Sequence, residues 1–333
     1  MALGKLGQAL SALEILDLVK NDLERVEREI SLESVAGVEA VTAIGRYLQS
    51  GGGKRLRPIL VLLASKLVGA VTDGAIRMAA VVEMIHTATL VHDDVIDVAE
   101  TRRGRPSPNT IWGNHTCVLA GDWLYMQAFQ MAVRERNFRV LDLLIGLTQM
   151  MVEGELSQLE RIGKIDISEA DYMELVDRKT ASLFSACARL GAMMGGADET
   201  TEARLGEFSW NLGIAFQLVD DVLDFTANEK VLGKPVGSDL REGKVTLPLI
   251  YALEHATSEE RQLVADVLKD GHYDRVPFAK ILGLIARRRG TERVRERAQA
   301  FTDKARSIIG EFPDSRYQRA LTGLTDLITD RDH

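Results

Sequence analysis

Val91-His92-Asp93-Asp94-Val95-Ile96-Asp97 is echoed far along the chain by Val219-Asp220-Asp221-Val222-Leu223-Asp224. Both stretches carry Asp-Asp-apolar-apolar-Asp inside runs with helical spacing. On a helix, residues i and i+4 share a face about one turn apart. Asp93 and Asp97 therefore project together with Asp94 beside them, and Asp220 and Asp224 do the same beside Asp221. Like charges at that spacing oppose helix formation, and aspartate is a mediocre interior helix former. Each cluster works against its own helix. A hard divalent cation resolves the conflict, because magnesium takes oxygen ligands, keeps several waters and bridges one or two carboxylates to phosphates. Asp93, Asp97, Asp220 and Asp224 are the candidate ligands. A solvated acidic face explains a single cluster about as well. The apolar flanks (Leu90, Val91, Val95, Ile96; Leu218, Val219, Val222, Leu223) and the duplication weigh against it.

Helix signals dominate outward from these stretches. The chain has 7 prolines in 333 residues and no region alternating long enough for a sheet. Residues 8–30 predict a long amphipathic helix with Leu10, Leu13, Leu16, Leu23, Val26 and Ile30 apolar. Breaks fall at Gly51-Gly52-Gly53, Asp73-Gly74, Arg103 to Asn109, Gly163 to Ser168, Gly195-Gly196 and Asn228 to Gly243. No linker-like shift divides them, so the expectation is one all-α domain over 1–333, a helical bundle with residues 1–30 packed on it.

A net charge of −8 argues against a nucleic-acid partner, although a local basic pocket still serves a small phosphorylated substrate. Cys117 and Cys187 lie in apolar surroundings without a CxxC pair, which disfavours a disulfide or zinc and fits a reducing compartment. No secretory signal is visible. The run Ile59 to Val71 is broken by Lys66 and too short to span a bilayer. A cytoplasmic protein with at most peripheral membrane contact is expected.

A diphosphate needs cations as well as metal carboxylates. Gly51-Gly52-Gly53-Lys54-Arg55-Leu56-Arg57-Pro58 joins a glycine turn to three cations and a helix-starting proline, so backbone N–H groups, a helix N-terminus and forked guanidiniums could face one anion. The same string is equally an ordinary loop. Arg102-Arg103-Gly104-Arg105 follows the first acidic cluster; Lys179-Thr180, Gln217, Lys234 and Lys244 lie near helix ends and the second cluster. Lys234 and Lys244 each have a plain surface reading. His86 stands two helical turns before Asp93, as either a core histidine or a substrate contact.

Taken in order, Gly-Gly-Lys-Arg-x-Arg-Pro at 52–58, the cluster at 93–97 with Arg102-Arg103-Gly104, Lys179-Thr180, Phe216-Gln217 running into 220–224, and Gly233-Lys234 with Gly237 and Asp239 resemble the trans-isoprenyl diphosphate synthase (polyprenyl synthetase) family. The resemblance runs from about residue 10 to the C-terminus, and its long-chain members are the nearest in kind. It implies a helical bundle around a deep cavity, a homodimer, and two or three magnesium ions bound with an allylic diphosphate. The family's catalytic positions fall on Asp93, Asp94, Asp97, Asp220, Asp221, Asp224 and Lys179. Its isopentenyl diphosphate contacts fall on Lys54, Arg57, His86 and Arg103; its allylic contacts fall on Arg102, Lys179, Thr180, Gln217, Lys234 and Lys244. The implied reaction ionises the allylic diphosphate, lets the double bond of isopentenyl diphosphate attack the cation, and loses a proton. Many relatives end in a basic stretch; this chain ends Thr329-Asp330-Arg331-Asp332-His333, which weakens a capping role for the tail.

In this family the product grows along the helix of the first cluster. Residues four and five before Asp93 lie about 6–7.5 Å back along that axis, and they are Thr89 and Ala88, both small. Short-chain relatives place an aromatic floor there. A product longer than C20, with C35–C45 favoured and a quinone side chain as its use, is expected here. A deeper floor falls on Met126 or its neighbours, or on Met150 and Met151, although such residues also serve as ordinary core. The competing readings are a C15–C20 synthase, a terpene cyclase or head-to-head synthase, and a non-catalytic subunit. A cyclase has no use for a second diphosphate pocket, and a regulatory subunit predicts one damaged cluster.

Overall fold

The computed structural model describes residues 9–227 and 236–329. Nearly all of their regular structure is helical, as the sequence predicts. The chain divides into two compact units. The first comprises Met1–Leu147, Leu183–Ser209 and Arg306–Leu327; the second comprises Thr148–Ser182, Trp210–Ala305 and Ile328–His333.

In the first unit α1 (Ala12–Glu33), α2 (Glu39–Ser50), α3 (Leu56–Val68), α4 (Asp73–Ile96), α5 (Pro108–Trp112) and α6 (Asn114–Val133) follow in order. α4 is the axis, packed on α1, α3 and α6. From Met78 to Ile85 it is buried on every side and apolar except for Glu83, the pattern of a helix enclosed in the core. Among the described residues α4 is the one helix long and apolar enough to cross a membrane, and 67% of that window is buried. α1 opens on a reciprocal Ser11–Glu14 capping box and buries Ile15, Val19, Val26 and Ile30. That stripe lies slightly round the helix from the predicted one, leaving Leu13 79% exposed.

After α4 comes a feature the sequence conceals. Thr101–Arg102 (β1) and Arg105–Pro106 (β2) form an antiparallel ribbon with Arg102 opposite Arg105. Its turn residues Arg103 and Gly104 both have positive φ, 55° and 72°, as the mirror-image turns of tight hairpins require. Two-residue strands carry too little alternation to be read as strands.

α7 (Phe138–Arg161) leads to α8 (Glu169–Val176), a π-helical turn at Asp177–Ala181, α9 (Ser182–Met194) and the long α10 (Glu199–Thr226). Of these, α9 falls almost wholly in the first unit, while α8 and the later parts of α7 and α10 fall in the second, which holds in addition α11 (Ser238–Arg241), α12 (Leu247–Leu253), α13 (Ser258–Asp270), α14 (Phe278–Arg287) and most of α15 (Gly290–Ile309); α16 (Arg316–Thr329) follows. The π-helical turn is pinned where Trp210 Nε1 donates to Asp177 Oδ1 at 2.5 Å. Such turns are frequent at functional sites, and this one carries Lys179 and Thr180.

Candidate active site

Both acidic clusters lie at the C-terminal end of a helix. Asp97 is the C-cap of α4, its N–H donating to Asp93 O at 2.8 Å; α10 closes two residues past Asp224. A helix end of that polarity carries unsatisfied carbonyls and partial negative charge. The aspartates therefore oppose the helix dipole as well as one another.

In each cluster the second aspartate turns inward. Asp94 is fully buried and accepts from Arg102 Nε at 2.7 Å, while its Oδ2 is buried without a hydrogen-bond partner among the described residues. Burial raises its carboxyl above the ordinary range, against the pull of Arg102. Asp221 accepts from Tyr172 Oη at 2.5 Å and from Gln217 Nε2 at 2.8 Å. Burial pushes Asp221 well above the usual carboxylate range, Asp239 adds to the rise, and the two donated bonds oppose it. Asp93, Asp97 and Asp220 are only partly buried. Asp224 departs from that pattern: at 1% exposure it accepts from Ser238 Oγ at 2.9 Å and from Asp239 N–H at 3.3 Å, anchoring the start of α11.

In the first unit one cleft is lined by Arg55, Glu83, His86, Arg102 and Arg103. Arg57 lies 5.3 Å from the centre of the Phe184 ring, its Nε buried and without a partner among the described residues. Burial, then Arg57 and Arg103, hold His86 well below its ordinary range, so the imidazole is neutral at pH 7. Burial also lowers Arg57 and Arg103, with Glu83 opposing. Arg55 is matched by Glu27 and Glu83 and Arg102 by Asp94, while Arg57 and Arg103 add positive charge that burial makes costly, an arrangement suited to an anion. His86 and Arg103 share this cleft as the sequence predicts, Lys54 is exposed on the turn before α3, and Arg102, assigned to the allylic set, lines it too.

The second unit has its own cleft, lined by Lys179, Thr180, Gln217, Asp221, Lys244 and Tyr172 among others. Thr180 Oγ1 donates to Gln217 Oε1 at 3.0 Å, Lys179 pairs with Glu155, and Lys244 Nζ meets Glu242 at 2.8 Å. Four of the six predicted allylic contacts thus converge. Lys234 lies outside the described residues.

The chain-length candidates divide. Ala88 is fully buried on α4 and Thr89 partly so. Met126 is corrected: it is 68% exposed, on the outer face of α6 with Val118, Leu119 and Val133, so it floors no buried tunnel in its own chain.

Sequence reading missed Glu83 and Tyr172, and it named Arg55 and Asp239 within motifs without giving either a role. A signal existed for Glu83, a carboxylate inside the apolar run Ala79 to Ile85 and one turn before His86. Tyr172 offered none, its partner lying 49 residues away.

Each cluster, taken within its own unit, has donors of the kind magnesium takes. Asp93, Asp97 and Asp220 offer hard oxygens, and Asp94 keeps one orphaned carboxylate oxygen. Among the described residues no three acidic, imidazole or thiol groups converge into a protein-only cage.

Comparison with known proteins agrees with this geometry. The polyprenyl synthetase family profile matches residues 38–284. The chain is 37% identical to the octaprenyl diphosphate synthase of Haemophilus influenzae, over 97% of this chain and 98% of that one. It is 33% identical to a short chain isoprenyl diphosphate synthase of Methanothermobacter thermautotrophicus, over 96% and 100%. A polyprenyl synthase from Caulobacter crescentus, solved with calcium and isoprenyl diphosphate, superposes with a TM-score of 0.93 at 35% identity, covering 98% of this chain and 99% of that one. Matched over three quarters of its length in sequence and nearly all of it in structure, the chain belongs to the polyprenyl synthetase family of prenyltransferases and has the all-α isoprenoid synthase fold.

Proposed function

We propose that this enzyme condenses isopentenyl diphosphate head-to-tail with an allylic diphosphate, forming trans double bonds and a polyprenyl diphosphate of C35–C45 for a quinone side chain. The observation that carries the reading is the cleft in which Arg102 and Arg103 stand with a neutral His86, beside an Arg55 already clamped by carboxylates. It supplies a diphosphate pocket additional to the Lys179–Gln217–Lys244 cleft, which a cyclase would not need. Both acidic clusters are whole, which counts against a non-catalytic subunit.

Asp93, Asp97 and Asp220 would hold magnesium, which when bound neutralises charge building on the departing diphosphate. Lys179, Lys244 and Arg102 would add fixed positive charge to that leaving group, and Thr180 with Gln217 would orient it. Lys54, Arg57, His86 and Arg103 would hold isopentenyl diphosphate with its double bond toward the allylic cation. The released diphosphate would take the proton. Asp224 retains its metal role in this proposal only if its bonds to Ser238 and Asp239 rearrange on loading.

Small, buried Ala88 beside Thr89 supports the long product. A homodimer is supported by the exposed apolar face of α6, where Leu119 is 65% and Val133 54% exposed. The single-domain reading of residues 1–333 is supported by a family match that runs through both compact units. Cytoplasmic residence is supported by two buried free thiols, Cys117 and Cys187, which burial pushes up to about 11 and about 12.

The test is incubation with labelled isopentenyl diphosphate, magnesium and C5, C10, C15 or C20 allylic primers, with products dephosphorylated and sized by chromatography. A ladder ending above C20 and abolished by EDTA is expected. Products ending at C15 or C20 would keep the enzyme and refute the Ala88 argument. Absence of labelled prenyl product with every primer would refute the condensation itself.

A further inference from the structure

The turn that presents Lys54 and Arg57 is held by a residue that does not face the cleft as a free cation. Arg55 is the N-cap of α3 and sits in the left-handed region, φ 49° and ψ 31°. A non-glycine residue persists there only where its surroundings over-determine it, and Arg55 is over-determined. Its Nε and Nη2 donate to the two oxygens of Glu27 at 2.5 and 3.2 Å, and its Nη1 donates to Glu83 at 2.9 Å. Glu27 stands on α1 and Glu83 on α4, so one guanidinium fastens three helices. The Arg55 and Glu83 side chains are 16% and 8% exposed.

The packing around this clamp reaches the anion-binding residues directly. A Cβ on Gly53 would meet both Arg55 Nη1 and Arg103 Nη1 at 3.2 Å, so the glycine turn nests against the two guanidiniums. Glu83 precedes His86 by one turn on α4, and its charge opposes the depression of both Arg57 and Arg103. It is the carboxylate that lets these arginines stand together while no diphosphate is present.

We propose that Arg55 and Glu83 are positioning residues for isopentenyl diphosphate: the Glu27–Arg55–Glu83 clamp fixes the backbone from which Lys54 and Arg57 reach the diphosphate. The proposal rests on the reading of the first-unit cleft as the isopentenyl diphosphate site. Lysine at 55 keeps the charge and loses the fork that bridges two carboxylates. Glutamine at 83 keeps the shape and loses the counter-charge.

The experiment is steady-state kinetics of Arg55→Lys, Glu83→Gln and the double variant, each substrate varied in turn, with thermal melting as the control for folding. The expected result is a KM for isopentenyl diphosphate raised tenfold or more in each single variant, while KM for the allylic diphosphate moves less than twofold. The double variant should be little worse than the worse single, because both act through one contact. Unchanged KM for isopentenyl diphosphate in folded variants overturns the proposal. Parallel rises in both KM values with a lowered Tm also overturn it, since that is a merely structural loss. If Arg55→Lys fails to fold, Glu83→Gln and Glu27→Gln carry the same comparison. If the wild-type protein forms no prenyl product, the functional reading fails on that control. The clamp is then judged by calorimetric titration with inorganic diphosphate in EDTA. Binding weakened tenfold in the variants sustains it; equal binding, or none by the wild type, overturns it.

Discussion

Alanine at Gly121 should damage the first aspartate cluster without touching it. A Cβ there would lie 2.2, 2.5 and 2.9 Å from Nε2, Cδ2 and Cε1 of His92, so the imidazole or α6 must yield by about an ångström to reach ordinary contact. The ring has little room. Its Nε2 lies 3.1 Å from Val118 O and 3.3 Å from Asp122 Oδ1, and its face stacks on Tyr125 at 6.0 Å. Overpacking of this kind costs about 1–3 kcal/mol, and losing the bond to Val118 adds about 1. A loss of about 2–4 kcal/mol should lower Tm by about 3–6 °C at the unfolding entropy of a chain this long. Because His92 adjoins Asp93, the magnesium concentration for half-maximal condensation should rise as well. Thermal melting by circular dichroism and a magnesium titration of product formation give both readouts. Gly121→Ala combined with His92→Ala should recover much of the loss, a coupling of about 1 kcal/mol or more. A Gly121→Ala protein melting within about 1 °C of wild type would refute the close approach of α4 and α6 on which the reasoning depends.

Ala88→Tyr should shorten the product, read by reverse-phase chromatography after dephosphorylation; an unchanged length would sink the tunnel argument. Tyr172→Phe removes a buried donor to Asp221 and should cost about 1–3 kcal/mol in urea unfolding, with a raised KM for the allylic diphosphate; no change in either would show the bond to be idle. Glu260 is held at about 2, below its ordinary 4.5, by the Thr257 backbone N–H and then Arg287 and Arg288. Its folded value lies below the unfolded one, so its stabilisation is full above about pH 4.5 and lost as pH falls through about 2. Glu260→Gln should therefore melt below wild type at pH 7 and match it near pH 2, and a constant gap across that range would refute the assignment.

The acidic clusters were legible because i, i+4 spacing is a property of sequence alone, and their helices followed from the same periodicity. The convergence of Lys179, Thr180, Gln217 and Lys244 came from ordered motifs, since no local rule brings residue 179 to residue 217. What escaped was tertiary. Tyr172 reaches Asp221 across 49 positions, and Arg55 reads as one more loop cation until Glu27 and Glu83 are seen gripping it. Asp224 carries the same spacing as Asp97 yet turns inward to Ser238, a choice made by the turn 14 residues later. Met126 illustrates the converse error. A bulky residue at helical spacing points inward or outward according to the register of its helix on its neighbours, and α6 presents it to solvent.

The placement of both carboxylate pairs at helix C-termini bears on how the enzyme counts. On the proposed reading, a diphosphate held there through a bridging cation would be the same object after every round of elongation, whatever hydrocarbon trails behind it. Nothing at that end distinguishes a ten-carbon intermediate from a forty-carbon one. On that reading the tally would be kept by volume along the flank of α4, where Ala88 sits, and the chemistry and the count could drift independently as sequences diverge.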